Sequence, residues 1–169
     1  MEFYDVIRQR RSIRAYRKDP VKQESLDRIC QAVLQAPTAC NRQPFKLLIV
    51  RDEVVRQKIC SACKFTFLAE APVLAVMLCN ESEAWTRYEG NSAADIDASI
   101  AMEHFVLSAA AEGLGTCWIC AFSRPEMDRV LGLEGSAYGS FALSPLGYAS
   151  APPREFVRKE MDKIIEFIG

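Results

Sequence analysis

The sequence predicts one domain, residues 1–169, in which helices pack on a single mixed β-sheet. Three observations carry this. The length of 169 residues matches one ordinary domain and is enough to bury a core without disulfides. Apolar residues make up 50% of the chain and charged residues 25%, the balance of a globule and not of a disordered segment. Helical and strand-like segments interleave along the chain, with no internal repeat, low-complexity tract or flexible linker between them.

Leu26, Ile29, Cys30, Val33 and Leu34 recur at the spacing of one buried helical face, and Pro37 ends that helix. Phe45 to Val50 reads as a buried strand and Val54 to Cys63 as a short helix. Val73 to Leu78, aliphatic and β-branched, reads as a second buried strand. Ser92-x-x-Asp95 has the form of a capping box opening a helix that runs to about Glu112, with Gly113 as a left-handed C-terminal cap. Its stretch from Phe105 to Ala111 is apolar all round, so this is the central buried helix. Gly115 to Phe122 reads as a third strand. Ser123-Arg124-Pro125-Glu126 opens a short helix, with serine as cap and proline in the first turn. Phe141 to Tyr148 is expected as a fourth strand, kinked at Pro145. Met161, Ile164, Ile165 and Ile168 then fall on one face of an amphipathic terminal helix that needs a surface to cover.

Composition removes several classes of function. Lys plus Arg number 21 and Asp plus Glu 22, a net charge of −1 that leaves no general electrostatic footprint for nucleic acid or a membrane surface. The longest apolar run, Ala71 to Cys79, is far shorter than the roughly 18–20 residues of a membrane span. Arg8, Arg10 and Arg11 interrupt the start before any leader-like apolar region forms. Seven cysteines cannot all pair within one chain, which fits reduced thiols in the cytoplasm. Cys60-x-x-Cys63 and Cys117-x-x-Cys120 have knuckle spacing, but the gap between the pairs is too long for a four-cysteine zinc site, and no metal is expected. The single histidine, His104, lies mid-helix among apolar residues and reads as a satisfied core or interface group. Without a G-x-S-x-G elbow, a serine hydrolase is rejected. Gly113-Leu114-Gly115 lacks the third glycine of a dinucleotide fingerprint and follows a helix instead of opening one.

Two polar elements remain. Six basic residues and no acid lie between Arg8 and Lys18, with Ser12 at the centre. The guanidinium groups of Arg10, Arg11 and Arg14 with the Ser12 hydroxyl suit a terminal phosphate. Thr38-Ala39-Cys40-Asn41-Arg42-Gln43-Pro44 joins a helix to a buried strand, and Asn41 and Gln43 each offer donor and acceptor to hydroxyls or a heterocycle edge. Taken separately, a solvated basic turn and a helix-capping loop explain them better than a ligand site does.

Together they resemble the nitroreductase family of FMN-dependent oxidoreductases. The resemblance runs from Arg10-Arg11-Ser12-Ile13-Arg14-Ala15-Tyr16 through Ala36-Pro37-Thr38-Ala39-Cys40-Asn41-Arg42-Gln43-Pro44-Phe45. It continues in order through Asp97 to His104, Gly113 to Ile119, and Pro145-Leu146-Gly147-Tyr148. It implies an α+β fold with a mainly antiparallel sheet flanked by helices, in an intertwined homodimer holding FMN at the subunit interface. The segment from Arg154 to Ile168 would then reach over the partner. Carried over by position, Arg10, Arg11, Ser12, Arg14 and Arg158 hold the FMN phosphate. Thr38, Cys40, Asn41 and Gln43 line the ribityl chain and the isoalloxazine. Cys120 and Ala121 present backbone amides near flavin N5. Many relatives have glycine at position 120, so the cysteine either alters the backbone there or sets a thiol beside the flavin. Lys64 stands about where relatives place a polar partner for the N1 and C2 carbonyl edge, although an exposed lysine fits the position equally well.

The implied chemistry is a ping-pong cycle in which NADH or NADPH gives hydride to N5 and a nitroaromatic, quinone or flavin-type acceptor takes it away in the same cleft. No side chain need act as an acid or base, because the cofactor carries the reaction. The short segment Asn80 to Asn91, with Trp85 and Tyr88, serves either as a minimal lid over the site or as packing on the dimer surface. Alternatives are FMN binding or sensing without turnover, a different flavin chemistry such as reductive dehalogenation, and a thiol or metal protein.

Overall fold

A computed structural model describes residues 2–169. Strands β1 (Phe45–Val50), β2 (Val73–Cys79), β3 (Gly115–Thr116) and β4 (Gly139–Gly147) form an antiparallel sheet in the order β1-β2-β4-β3. Among the described residues, the one parallel pairing is a bridge between Ser12 and Thr116, so the mixed character expected from the sequence is confined to that edge. The class is α+β.

The central strands explain the continuous apolar runs. Val73, Ala75, Met77 and Cys79 of β2 face one core, while Leu74, Val76 and Leu78 face the other. Helices α2 (Gln23–Leu34) and α4 (Ala94–Ala111) cover the first face, with Leu26, Ile29, Ala98, Met102 and Phe105 buried against it. Helices α3 (Glu53–Ser61) and α5 (Arg124–Leu131) cover the second, through Ile59 and Met127. Polar bonds tie α4 to α2: Arg28 donates to Glu112 at 2.6 and 2.8 Å, and the His104 ring nitrogen Nδ1 lies 2.9 Å from the Ala32 carbonyl oxygen. The lone histidine is thus a satisfied inter-helix group. The guanidinium of Arg28 holds the Glu112 carboxyl below its ordinary range.

Several elements differ from their sequence reading, each for a physical reason. A helix α1 (Phe3–Gln9) precedes the basic run and was not read from the sequence. Helix α3 begins at Glu53 because the Asp52 carboxylate accepts from the Val55 amide at 2.9 Å. The Ser92–Asp95 capping box does not form: Ser92 Oγ accepts from Ala94, but Asp95 turns away to Arg124 at 3.2 Å. Ser123 makes no side-chain cap for α5 either. Gly113 does take the left-handed conformation expected of it, with φ +72°.

The third strand is only two residues long. In its register Cys117 would face Pro145, which has no N–H to donate, and the Cys117 amide instead donates to Ser144 Oγ at 3.1 Å. Pairing resumes only at Ile119 and Leu143. For the same reason Pro145 does not kink β4. Its missing donor faces the interrupted strand, and the irregularity lies between Met77 and Leu78, where Phe141 is the extra residue.

The terminal amphipathic helix is absent. Only Met161–Lys163 form a 3-10 turn, and Met161, Ile164, Ile165 and Ile168 are each more than half exposed. One chain offers this apolar face no surface, and a short helix without tertiary packing is marginal.

Gly115 links the sheet edge to the basic segment. A Cβ there would stand 2.7 Å from Ile13 Cγ1 and 2.9 Å from Ile13 Cβ, against a side chain stiff at χ1. Gly115→Ala is therefore expected to cost about 1–3 kcal/mol, read as a lower urea midpoint. An unchanged midpoint would show that Ile13 is not pinned against β3.

Candidate functional site

The basic run sorts itself by its partners. Arg8 pairs with Asp5, and Arg17 with Asp19 at 3.1 Å. Arg10, Arg11 and Arg14 have no carboxylate partner among the described residues, nor do Arg154 and Arg158. These five and Ser12 line one cavity of about 350 Å3, together with Glu155 and Phe156. Arg154 and Phe156 are members that the sequence reading did not assign. Their signal was present, since an aromatic residue sits between two arginines in Arg154-Glu155-Phe156-Val157-Arg158.

The backbone beneath the cluster is stitched to the sheet. Ile13 N donates to the Thr116 carbonyl at 2.8 Å, Arg17 N to Tyr148 at 2.9 Å, and Ser150 N to Ala15 at 3.0 Å. Ile13 and Tyr16 are buried, and the Tyr16 hydroxyl donates to the Ile13 carbonyl at 2.7 Å. Burial pushes the Tyr16 phenol well above its ordinary range. With these two side chains turned inward, Arg14 is left facing solvent. Arg11 is braced rather than free: its Nη1 donates to the Arg8 and Arg10 carbonyls at 2.6 and 2.8 Å, and its guanidinium lies 3.8 Å from the Phe156 ring centroid.

The second polar element is a strained loop. Cys40, Asn41 and Gln43 all have φ near +52°, a conformation costly for residues other than glycine. The Thr38 hydroxyl accepts from Gln43 N at 3.0 Å, and Gln43 Nε2 donates to the Asn41 carbonyl and side-chain oxygens at 3.2 Å. Asp97 in α4, only 2% exposed, accepts from Ala39 N at 3.0 Å through Oδ1. Its Oδ2 has no partner among the described residues. Arg42 donates to the Ala84 carbonyl at 3.0 Å, tying the loop to the segment that carries Trp85 and Tyr88. Their rings meet edge-on at 6.1 Å, and Tyr88 is 99% exposed.

Within one chain the two elements lie apart. The loop sits at Asp97, near the start of α4, whereas Arg10 and Arg11 border a cavity with Ala110 and Gly113 at its end. At 1.5 Å per residue those two places are about 20 Å apart. The basic cavity includes none of Thr38, Cys40, Asn41 or Gln43. Cys120 and Ala121 form an exposed stretch whose backbone amides have no partner among the described residues. Cys120 is not in the left-handed region, so cysteine fits there without strain. Its sulfur lies 3.2 Å from Trp118 Nε1. Lys64 is exposed in the turn after α3.

All seven cysteines are free, and no cluster of three or more metal-ligating side chains occurs among the described residues. Nor is any helix there long and apolar enough to cross a membrane. Cys40 and Cys120 are the exposed thiols, whereas burial pushes Cys63 and Cys79 up to about 11. Iodoacetamide at neutral pH should therefore label Cys40 and Cys120 first, and Cys79 and Cys117 only after unfolding. Labelling of Cys79 as fast as Cys120, read by peptide mass spectrometry, would contradict this arrangement.

The model of the nitroreductase family matches residues 7–65 and 60–148. A protein from Methanothermobacter thermautotrophicus named as an NADH dehydrogenase/NAD(P)H nitroreductase is 29% identical over 164 residues, covering 90% of this chain and 80% of the relative. A nitroreductase family protein from Clostridium difficile 630 superposes with a TM-score of 0.90 at 26% identity, over 99% of this chain and 98% of that one. An FMN-dependent nitroreductase from Clostridium difficile R20291 superposes with a TM-score of 0.81 at 25% identity, over 97% and 98% of the two chains. With the matched residues spanning the basic segment, the strained loop and the central helix, the chain belongs to the nitroreductase family.

Proposed function

We propose that the chain is an NAD(P)H-dependent flavin oxidoreductase that binds FMN and reduces nitroaromatic, quinone or flavin-type acceptors. The observation that carries this reading is the convergence of five guanidinium groups without carboxylate partners on one cavity. A phosphate monoester has the three acceptor oxygens and nearly two negative charges such a cluster lacks. The free amides of Cys120 and Ala121 supply donors for a flavin ring edge, so the residues present fit the group. The names of the relatives, an NAD(P)H nitroreductase and an FMN-dependent nitroreductase, support the same cofactor pair.

When bound, FMN supplies two-electron hydride chemistry between a nicotinamide nucleotide and an acceptor. The chain's own residues bind and orient. Arg10, Ser12, Arg14 and Arg158 hold the phosphate, with Arg11 bracing the cluster from behind. Thr38, Cys40, Asn41 and Gln43 contact the ribityl chain and ring. Trp85 and Tyr88, tied to that loop through Arg42, form a short aromatic lid over the acceptor. The same cleft takes nucleotide and acceptor in turn, which gives a ping-pong cycle. The seven free thiols support a reducing compartment such as the cytoplasm.

A homodimer reconciles the distance between the two polar elements, with the loop of one copy meeting the basic cavity of the other. Ile96, Ile164 and Ile168, exposed in the single chain, are the kind of surface a second copy covers. Arg10→Ala or Arg14→Ala should weaken FMN binding roughly ten- to a hundredfold, for a lost charge-assisted contact of about 1.5–3 kcal/mol. Flavin fluorescence titration reads this, and unchanged affinity in both variants refutes the phosphate assignment. Mixing Arg14→Ala with Asn41→Ala protomers should restore one intact site per dimer. No recovery on mixing would place both elements in a site built by one chain. Trp85→Ala and Tyr88→Ala should raise KM for aromatic acceptors; a KM unchanged for every acceptor removes the lid.

A further inference from the structure

The basic cavity holds more positive charge than one phosphate balances. Five arginines line it against the single carboxylate of Glu155. A phosphate monoester brings between about 1.5 and 2 negative charges, so roughly two positive charges remain when it is bound. Self-repelling charge of this size, left beside an exposed cleft, marks a place for a second anion.

The cluster is drawn from two segments of the chain. Arg10, Ser12 and Arg14 are adjacent on the segment stitched to the sheet edge. Arg154 and Phe156 line the same cavity from the C-terminal segment, two residues apart in sequence. The Phe156 ring, 44% exposed, has the Arg11 guanidinium 3.8 Å from its centroid and that of Arg158 at 4.9 Å. Arg154 has no carboxylate, carbonyl or aromatic partner among the described residues. It is a free fork beside an aromatic platform flanked by cations. An adenosine bearing a phosphate has the matching pair of features, a flat base that stacks and an anion within reach of it.

NADH and NADPH differ only in the phosphate on the adenosine ribose 2′-oxygen, which adds close to the charge the cavity leaves unbalanced. We infer that Arg154, beside Phe156, forms a second anion subsite that takes the 2′-phosphate of NADPH and makes NADPH the preferred reductant. This rests on the FMN phosphate occupying the Arg10–Ser12–Arg14 side of the same cavity.

The test uses FMN-loaded protein at constant ionic strength, with 2′,5′-ADP and 5′-ADP as probes. Calorimetry should show 2′,5′-ADP binding about ten- to a hundredfold more tightly than 5′-ADP, the worth of one or two charge-assisted contacts. The kcat/KM ratio of NADPH to NADH should favour NADPH by a similar factor. Arg154→Ala should collapse both ratios towards unity, and Arg154→Lys should recover part of each. Equal binding of the two probes to the wild-type protein, or an Arg154→Ala variant that keeps its preference, overturns the subsite. So does loss of bound FMN on Arg154→Ala, which would place Arg154 in the flavin phosphate clamp. Wild-type protein that binds no FMN at all refutes the underlying flavin reading as well, and the flavin absorbance spectrum distinguishes that outcome from the others.

Discussion

Five like charges gathered on one cavity repel each other, and the rest of the site depends on their being held there. At about 4 Å a pair of unit charges interacts by roughly 1 kcal/mol in water and about 4 kcal/mol near a protein surface. An ungoverned loop would relieve that by moving apart. Here the chain between Arg10 and Arg17 is fixed by backbone bonds to Thr116 and Tyr148 and by burial of Ile13 and Tyr16 in the core beneath. The Tyr16 amide is further held by Glu70 Oε2 at 3.0 Å. Buried Cys117 lies behind the cluster, where Arg14 and Arg10 counter the upward push of burial on its thiol. Hydrophobic burial thus positions charge that only an anion makes comfortable. Such preorganised positive charge is the physical basis for selective recognition of a phosphate.

The strained loop applies the same logic to backbone conformation. Three non-glycine residues in the left-handed region persist only because their surroundings overdetermine them. Asp97 supplies the anchor from inside the core, Thr38 closes the loop on Gln43, and Arg42 ties it to the segment that carries Trp85 and Tyr88. The result presents the Asn41 and Gln43 amides on an exposed, fixed turn.

Much of the fold was legible because periodicity and burial agree. Fully buried β2 was read within one residue, and Phe45–Val50 to the residue, although this edge strand is half-buried rather than buried and its Lys46 is exposed. The misreadings came from partners distant in sequence. Nothing near Cys117 reveals that Pro145 will stand opposite it, so the third strand looked long. Ser92 and Asp95 have the form of a capping box, but Arg124, which draws Asp95 away, lies 29 residues on. The terminal segment has helical periodicity and no intramolecular surface, which periodicity alone does not disclose. At the site, motif spacing was enough to find both polar elements and their order. It also left Arg8 and Arg17 outside the cluster, and the structure pairs both with carboxylates of their own. It did not bring Arg154 and Phe156 to the cavity, because that convergence is made only by the folded chain.

On the reading proposed here, this cavity recognises the terminal phosphate of FMN. The most direct test is titration of flavin-free protein with FMN and with riboflavin, which differ in that phosphate alone, at low and at high salt. FMN should bind far more tightly than riboflavin, and added salt should narrow the difference by screening the guanidinium cluster. Equal affinity for the two flavins at low salt would contradict it.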